Sequence, residues 1–420
     1  MKLKRPIISS LICNTFEWYD FALYGQFSYL IGKLFFAGGN QSTQMIAAFS
    51  VFCAGYLTRP IGGITFGIIG DKYGRSKALT ISIFLMALPT TCIGLLPTYA
   101  QIGITAPILL TIIRLMQGLS MGGMNGAFIF VLEHSPQNKR GLYGSLTFIT
   151  TCLGILLGSI MAAIFSNILP SEQFESWGWR IPFFFSIFMG ICGYFMRKNL
   201  VEAEIYLKAK LASSIQNPIR IVAESYKVKI LIAMGIYITM AIPFFILAIF
   251  INNFMSSVLH FPYKHALLIN LLNILIITCI VPIAGKFSDI IGRKKIMIVA
   301  SLLMMILIYP IMHGINNTDL YLSAAHQFTF ALLIGIYCGP LYANLAEIFP
   351  TMIRYTSLGI AMNICATLMG SMVPVIGSWL VKHHGAGSTM SYLALYVIFC
   401  NITSLVSLNV SKDMSRAKLL

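Results

Sequence analysis

Long apolar stretches separated by short polar connections constrain this chain more than any other feature of its sequence. A helix needs about 20 mostly apolar residues to cross a bilayer, and stretches of this kind recur from one end of the sequence to the other. Mean hydropathy is +0.82 and charged residues make up only 10% of the chain, whereas soluble domains carry about 25%. These values predict an integral membrane protein.

The apolar stretches predict an all-α fold of twelve transmembrane helices. The first stretch has the basic start of a signal peptide, but it continues to about Leu30 without a small-residue cleavage site, so we interpret it as a helix. The longest polar interruption, 199–228, predicts a cytoplasmic linker between two six-helix halves, 1–198 and 229–420. The predicted helices are 7–31, 46–69, 78–97, 104–132, 141–167, 181–198, 229–252, 264–284, 296–314, 319–346, 354–380 and 389–410.

Two short motifs occur twice, which indicates a duplicated chain. GIIGDKYGR at 67–75 and GKFSDIIGR at 285–293 share Gly, Asp, Gly and Arg at the same offsets. A Glu–Pro–Arg pattern that begins at Glu133 recurs with the same spacing from Glu347. Both repeats fall between corresponding helices, so we predict two halves in parallel orientation, as in large two-half secondary transporters.

The repeated motifs also predict a latch at the cytoplasmic helix ends. Glycine permits tight reversals and close helix approach, and an aspartate beside an arginine at a helix end can form an ion pair. The predicted latch residues are Gly67, Asp71, Gly74, Arg75, Glu133, Arg140, Asp289, Gly292, Arg293, Glu347 and Arg354.

The basic residues of the chain concentrate in the connections between apolar stretches. The formal net charge is +16, a value that in a soluble protein can indicate nucleic-acid binding. In a membrane protein, lysine and arginine mark the cytoplasmic loops. We therefore predict that both termini are cytoplasmic, that the lipid bilayer surrounds the chain, and that nucleic acid is not a partner.

Several motifs resemble those of one family. RPIGGITFGIIGDKYGRSK at 59–77 resembles the signature loop of the major facilitator superfamily. NTFEWYDFALYG at 14–25 and LAEIFPTMIRYTSLG at 345–359 resemble its metabolite:proton symporter branch, within which the proline/betaine transporters are the nearest likeness. Two departures stand out, because Ser76 occupies the second basic position of the loop and Met124 stands where the branch usually has glutamate. The resemblance implies a multi-pass transporter of the bacterial inner (plasma) membrane.

Glu17 and Asp20 are the two acids, of 13 in the chain, that fall deep inside a predicted span. They lie three residues apart, so both project from nearly the same face of the first helix. Charged groups inside a membrane are costly and mark ion or proton pathways. We predict that this pair carries the coupling proton. The alternative is that each acid pairs with a buried base and locks helices together, with Arg59 and Arg114 as the bases.

The predicted substrate site combines cationic, aromatic and amide side chains within the spans. A guanidinium binds a carboxylate through two parallel hydrogen bonds, and an aromatic ring near the acids can hold an ammonium group by cation–π contact or can simply pack. Amide side chains can also line such a site. The predicted substrate-binding residues are Arg59, Arg114, Asn14, Trp18, Tyr24 and Asn125.

The predicted function is proton-coupled import of a small carboxylated or zwitterionic metabolite, such as proline, betaine or a related osmolyte, by alternating access. Alternatives are a symporter of oxoglutarate, citrate or another organic acid, a sodium-coupled or uncoupled carrier, and a nutrient sensor on the same scaffold. An enzyme is not predicted, because HExxH and Walker-type GxxxxGK[ST] patterns are absent from the sequence. The nine cysteines form no CxxC pair, so no metal site is predicted. We expect a monomer without a cofactor that uses the proton gradient as its energy source.

Overall fold

The computed structural model describes residues 5–36, 41–198, 200–212 and 217–413. These ranges are helical almost throughout and contain no β-strand, which agrees with the predicted all-α fold. Eight of the described helices are long and apolar enough to cross a membrane, or nine if the bent pair Ser171–Gly178 and Arg180–Arg197 counts as one span.

The helices follow the predicted apolar stretches closely. The last one, Val373–Val410, contains a non-helical residue, Gly385 with φ of 78°, and this kink separates two helices between the predicted spans 354–380 and 389–410. The α-helices are α1 Arg5–Gln26, α2 Ser28–Phe35, α3 Gln41–Leu57, α4 Arg59–Lys72, α5 Arg75–Leu95, α6 Tyr99–Ile102, α7 Thr105–Gly123, α8 Asn125–Glu133, α9 Arg140–Ile168, α10 Ser171–Gln173, α11 Arg180–Arg197, α12 Glu204–Ala212, α13 Pro218–Ser225, α14 Lys227–Phe245, α15 Ile251–Ser257, α16 Tyr263–Ile291, α17 Arg293–Ile315, α18 Leu320–Ile348, α19 Arg354–Cys365 and α20 Val373–Val410.

Three predicted spans are interrupted. The breaks lie at Phe27, Thr58 and Met124, where α1 gives way to α2, α3 to α4, and α7 to α8. At the third break the amide of Met124 donates to the carbonyl of Met121 at 3.2 Å, a tighter turn than that of an α-helix. Segments Ile246–Phe250 and Ala366–Gly370 form wider π-turns within two other spans. Such irregular turns free backbone groups and are frequent at functional sites.

The described chain divides into two compact units. The first comprises the described parts of 1–134, 150–220 and 352–360, and the second comprises those of 135–149, 221–351 and 361–420. Each unit thus contains one short segment that lies, in the sequence, among residues of the other unit. The predicted boundaries 1–198, 199–228 and 229–420 stay a prediction about the duplicated halves.

Apolar packing builds each unit. In the first, α5 packs against α7 and α11, and α1 packs against α5 and α11. In the second, α18 packs against α16 and α17, while α20 packs against α14 and α17. An aromatic cluster that includes Tyr19, Phe27, Trp179 and Phe183 fills the interior of the first unit. In a soluble protein, burial of each large side chain of this kind stabilises the fold by a few kcal/mol. In lipid, the same side chains fix the helix positions by close packing.

Candidate functional site

Glu17 forms a buried ion pair with Arg197. The Arg197 Nη1 atom lies 2.9 Å from Glu17 Oε1, and neither side chain is exposed. The hydroxyl of Ser82 donates to the same carboxylate oxygen at 2.7 Å, and Arg197 also donates to the carbonyl of Leu79. The base is therefore Arg197, and not Arg59 or Arg114, which the alternative named as partners of the acids. The alternative of an acid that locks helices through a buried base describes Glu17 well.

Arg197 is a site residue that the sequence analysis missed. It ends α11 and precedes Lys198, so it resembles the basic flank of an ordinary transmembrane helix. Its face of α11 is nevertheless distinctive, because Gly190 and Gly193 share that face. A Cβ at Gly193 would collide with Ile83 of α5. Glycines at this spacing bring the helix close to its neighbours, and Arg197 follows them into the interior.

Asp20 has no such base. It is 2% exposed, its Oδ1 atom has no hydrogen-bond partner, and no ion pair joins it to any described residue. The Ser186 hydroxyl lies beside it on α11. The two predicted coupling acids thus differ in kind: Glu17 is neutralised by a guanidinium, whereas Asp20 is a buried acid with an open oxygen.

Arg114 is another buried charged group with unsatisfied hydrogen-bonding atoms. Its Nη1 donates to the Gln117 Oε1 atom at 2.6 Å, and Gln117 in turn donates to the Thr90 hydroxyl at 2.6 Å. The Nε and Nη2 atoms are buried without a hydrogen-bond partner, and no described acid lies within ion-pair distance. Arg114 is therefore a fully buried cation with one complete edge open.

Aromatic rings surround the Arg114 guanidinium. Its central carbon lies 4.2 Å from the ring centre of Tyr24, 5.1 Å from that of Phe52 and 5.3 Å from that of Phe21. The Tyr24 hydroxyl donates to the Ala48 carbonyl at 3.0 Å, which holds the ring in place. Tyr24, predicted to contact substrate, thus supports the arginine through a cation–π contact.

Asn14 and Trp18 connect α1 to α9. The Asn14 amide donates to the Thr150 hydroxyl at 2.9 Å and to that of Thr151 at 3.4 Å. Trp18 packs where α9 has Gly154, whose absent Cβ would lie 2.6 Å from the Trp18 Cβ atom. These contacts give both residues packing roles, and their predicted contact with substrate stays a prediction.

Arg59 and Asn125 each begin a helix just after a break. The Arg59 guanidinium lies 5.1 Å from the ring centre of Tyr56 and is 6% exposed. Asn125 is the first residue of α8, and its Nδ2 atom is buried without a hydrogen-bond partner. An open amide donor beside a mid-span break is available to a ligand, and the role of Asn125 as a liner of the substrate site stays a prediction.

The second unit has a buried polar contact that the sequence analysis did not single out. Asn273 of α16 donates to the Gln327 Oε1 atom of α18 at 3.0 Å, and both residues are 1% exposed. Gln327 also donates to the sulfur of Met255 at 3.0 Å. Buried amides of this kind hydrogen-bond across transmembrane helices, and this contact links α15, α16 and α18.

The letters GLSMG at 118–122 match the GxSxG pattern of serine hydrolases, but their setting does not. In those enzymes the serine sits on a strained turn between a strand and a helix. Here Ser120 lies inside α7 and its hydroxyl donates to the Ser82 carbonyl at 2.6 Å. A Cβ at Gly118 or Gly122 would collide with the backbone of α3 or α4, so these glycines allow helices to pack closely.

Four of the predicted latch residues form one buried cluster in the first unit. Arg75 Nη1 lies 2.9 Å from Asp71 Oδ1, and Arg75 Nε lies 3.2 Å from Glu133 Oε2. Glu133 is also paired with Arg354, at 2.7 Å. The Asp71 carboxylate accepts from the backbone amide of Thr356 at 2.8 Å, at the start of α19. A carboxylate at a helix N-terminus satisfies free amides and complements the helix dipole.

The second unit repeats this arrangement with the matching residues. Arg293 Nη1 lies 2.7 Å from Asp289 Oδ1, and Glu347 Oε1 lies 3.4 Å from Arg293 and 3.6 Å from Arg140. The Asp289 carboxylate accepts from the amides of Gly141 and Leu142 at 2.8 and 3.0 Å, at the start of α9. The predicted duplication therefore extends to the hydrogen bonds. The glutamates exchange partners, since Glu133 pairs with Arg354 and Glu347 with Arg140.

Three glycines make the clusters sterically possible. Gly74 and Gly292 have φ of 117° and 110°, values that only glycine adopts without strain, and each one separates two helices at a sharp turn. A Cβ at Gly67 would lie 2.5 Å from the Cα atom of Thr356, so only glycine allows α19 to approach α4 this closely.

Linker residues cover the first cluster. Glu202 accepts from the Ser76 amide at 2.8 Å, and burial raises the pKa of its carboxyl above the usual range, an effect that this hydrogen bond opposes. The ring of Tyr206 lies 4.4 Å from the Arg75 guanidinium, and burial raises the pKa of its hydroxyl to about 12. Where the family motif has a second basic residue, this chain has Ser76, whose backbone amide donates to Glu202.

Comparison with known proteins decides the family. The model of the family "Sugar (and other) transporter" matches residues 7–217, and the "Proline/betaine transporter" of Salmonella typhimurium is 36% identical over 392 residues, which cover 91% of this chain and 78% of that protein. The chain belongs to the major facilitator superfamily. It is a transporter with a small-molecule substrate, a multi-pass protein of the bacterial inner membrane, and not an enzyme.

Two further comparisons support this assignment. The "Glycine betaine/proline/ectoine/pipecolic acid transporter" of Dickeya dadantii is 34% identical to this transporter over 392 residues, which cover 91% of this chain and 78% of that protein. The solved structure of a proton:xylose symporter of the superfamily, bound to 6-bromo-6-deoxy-D-glucose, aligns with a TM-score of 0.83 over 99% of this chain and 97% of its own, at 16% identity. This structural likeness confirms the major facilitator fold.

Removing the charge of Asp71 or Asp289 is expected to loosen the helix start that each one caps. In Asp71→Asn the amides at the start of α19 should exchange hydrogen about tenfold faster, and Asp289→Asn should do the same at the start of α9. Asp319→Asn is the control for the loss of a helix cap alone. The Asp319 carboxylate caps α18 in the same way, at 2.8 Å from the Tyr321 amide.

Hydrogen exchange followed by mass spectrometry measures these exchange rates. Substrate binding is measured alongside, and both variants should retain it. Altered accessibility of the transporter from its two sides would assign the clusters the role of a latch. Unchanged exchange at both helix starts in both variants would remove that role.

Proposed function

We propose that this transporter imports a small zwitterionic carboxylate, of the proline or glycine betaine type, together with a proton by alternating access. The observation that carries the proposal is the open edge of Arg114. Proline and betaine are named as the substrates of the relatives that share 34–36% of its residues, and both are zwitterions with one carboxylate.

The free edge of Arg114 suits a carboxylate. Its Nε and Nη2 hydrogens point in the same direction, and a carboxylate bridges two such donors with two parallel hydrogen bonds. A buried cation without an acid is costly in a membrane, and it is retained where a ligand supplies the opposite charge. Gly55 adds to this: a Cβ there would come within 3.5 and 3.6 Å of Nη2 and Nε, so the glycine leaves the edge uncovered.

Asp20 is the better proton carrier of the two predicted acids. A carrier must gain and lose its proton during the cycle, and Glu17 would have to give up an ion pair and the Ser82 hydrogen bond to do so. Asp20 has an open oxygen that can take a proton without breaking any described contact. We therefore assign coupling to Asp20 and a structural role to Glu17.

Uptake into proteoliposomes tests the proposal. Added proline or glycine betaine should drive proton entry with the wild-type protein. Asp20→Asn should abolish accumulation against a gradient while substrate exchange continues, because a permanently neutral side chain allows the loaded carrier to reorient but cannot release a proton. Glu172→Gln, an exposed acid, is the control and should transport normally.

Each other result overturns one part of the proposal. Normal accumulation by Asp20→Asn would exclude Asp20 as the proton carrier. Uptake that requires sodium, or uptake without proton entry, would exclude proton coupling. Transport of oxoglutarate or citrate but of neither zwitterion would exclude the substrate class. Binding without any uptake would indicate a nutrient sensor.

A further inference from the structure

A groove opens on the surface of the first unit where the start of α1 meets the end of α11. Its volume is about 660 Å³, and the residues around it come from the first turns of α1, from the last turn of α11 and from the segment after it. Apolar side chains form its walls, and several of them are largely exposed: Ile8 is 40% exposed, Phe195 66% and Val201 67%. Apolar surface of this kind is normal where a helix end borders lipid.

The groove also has basic side chains that no acidic side chain among the described residues neutralises. Arg5 lines it and makes no ion pair with any described residue, and Lys198 is exposed in the same segment. Neither 1–16 nor 176–201 contains an acid. The nearest acid along the chain, Glu202, is engaged with the Ser76 amide, and Arg197 is committed to Glu17.

These two features together define the chemistry of an occupant. A guanidinium binds the oxygens of a phosphate through two donors, and exposed apolar walls favour hydrocarbon over water. Basic pockets between transmembrane helices bind the headgroups of anionic lipids. We propose that this groove binds one anionic diacyl phospholipid, with its phosphate against Arg5 and an acyl chain along Phe195 and Ile8.

The position of the groove gives such a lipid a consequence. Its wall residues Phe195 and Met196 immediately precede Arg197, the residue that holds Glu17. A bound lipid fills the space beside this last turn of α11 and restrains it. The exposed Phe195 of the groove and the buried Arg197 of the ion pair thus belong to the same helix end.

Native mass spectrometry of the purified full chain with added lipid tests the proposal. One dioleoyl phosphatidylglycerol should bind about fivefold more tightly than dioleoyl phosphatidylcholine, because each basic residue at an anionic lipid surface is worth a factor of that size. Arg5→Gln should remove this preference, Arg5→Lys should keep part of it, and Phe195→Ser should weaken both lipids. Lys295→Gln, which removes an exposed charge at the start of α17, is the matched control and should bind like the wild type.

The remaining outcomes overturn the site. Equal binding of the two lipids, or an unchanged preference in Arg5→Gln, would show that the groove does not recognise the charge of the headgroup. An equal loss in Lys295→Gln would show that only total charge matters. Displacement of the bound lipid by millimolar inorganic phosphate would indicate a simple anion site. Thermal denaturation of each variant in lipid-free detergent shows whether it folds like the wild type.

Discussion

Replacing Arg114 with glutamine is expected to weaken the binding of proline or glycine betaine about a hundredfold. The variant loses both donors to the substrate carboxylate and leaves that carboxylate buried without a positive charge, a change that costs about 3 kcal/mol. Arg114→Lys keeps the charge but offers one point donor in place of a fork, so we expect a loss of about tenfold. Equilibrium dialysis with radiolabelled substrate and purified protein measures both.

Arg180 offers a matched control for this experiment. Its guanidinium is partly buried, but it donates to the backbone carbonyls of Gly94 and Leu96, at 2.6 and 2.7 Å, and has no open edge comparable to that of Arg114. Arg180→Lys should therefore leave substrate affinity within twofold of the wild type. Wild-type affinity in Arg114→Gln would contradict the anchor role and leave the open edge of this arginine without an assigned ligand.

Glu17→Gln is expected to destabilise the folded protein by about 3–5 kcal/mol, since it leaves the Arg197 guanidinium buried without its counter-charge. Replacing both residues, Glu17→Gln with Arg197→Gln, should recover most of that loss because no charge then remains buried. Denaturant-induced unfolding of the purified variants in detergent measures the difference between the single and the double substitution.

The exposed pair of Lys33 and Glu175 provides the comparison. Its atoms are also close, at 2.6 Å, but the side chains are 49% and 41% exposed, so Glu175→Gln should cost less than about 1 kcal/mol. If Glu17→Gln unfolds like the wild type but has lost substrate-driven proton entry, Glu17 and not Asp20 is the proton carrier.

Hydropathy and repeated motifs predicted much of this structure from the sequence. Apolar length located the helices because a lipid-exposed backbone must form its hydrogen bonds within its own segment. The repeats indicated both charge clusters because a shared motif marks a shared local geometry. The breaks at Phe27, Thr58 and Met124 were not predicted, because the apolar stretch continues through each of them, although Pro60 follows Thr58 and Gly122 and Gly123 precede Met124.

Partner choice was the other part that sequence patterns could not supply. Spacing placed Glu17, Arg59 and Arg114 within spans, but it does not tell which helix faces meet, and the base that reaches Glu17 comes from the far end of α11. The exchange of arginines between Glu133 and Glu347 is hidden for the same reason, because the two copies of the motif have Glu, Pro and Arg at the same spacing in the sequence.

Each unit contains one short segment, 352–360 in the first and 135–149 in the second, that lies in the sequence among residues of the other unit. This arrangement affects how the chain folds during synthesis. As synthesis proceeds from the N-terminus, α4, α5 and α8 are complete long before the residue that finishes their charge cluster, because Arg354 follows Glu133 by 221 positions. Until then Glu133 has only Arg75 as a basic partner, and Asp71 has no helix start to cap. A fragment that ends at the linker would lack both groups permanently. Final folding of the first unit must therefore wait for nearly the whole polypeptide, and the two halves expressed as separate chains should mature only when they are produced together.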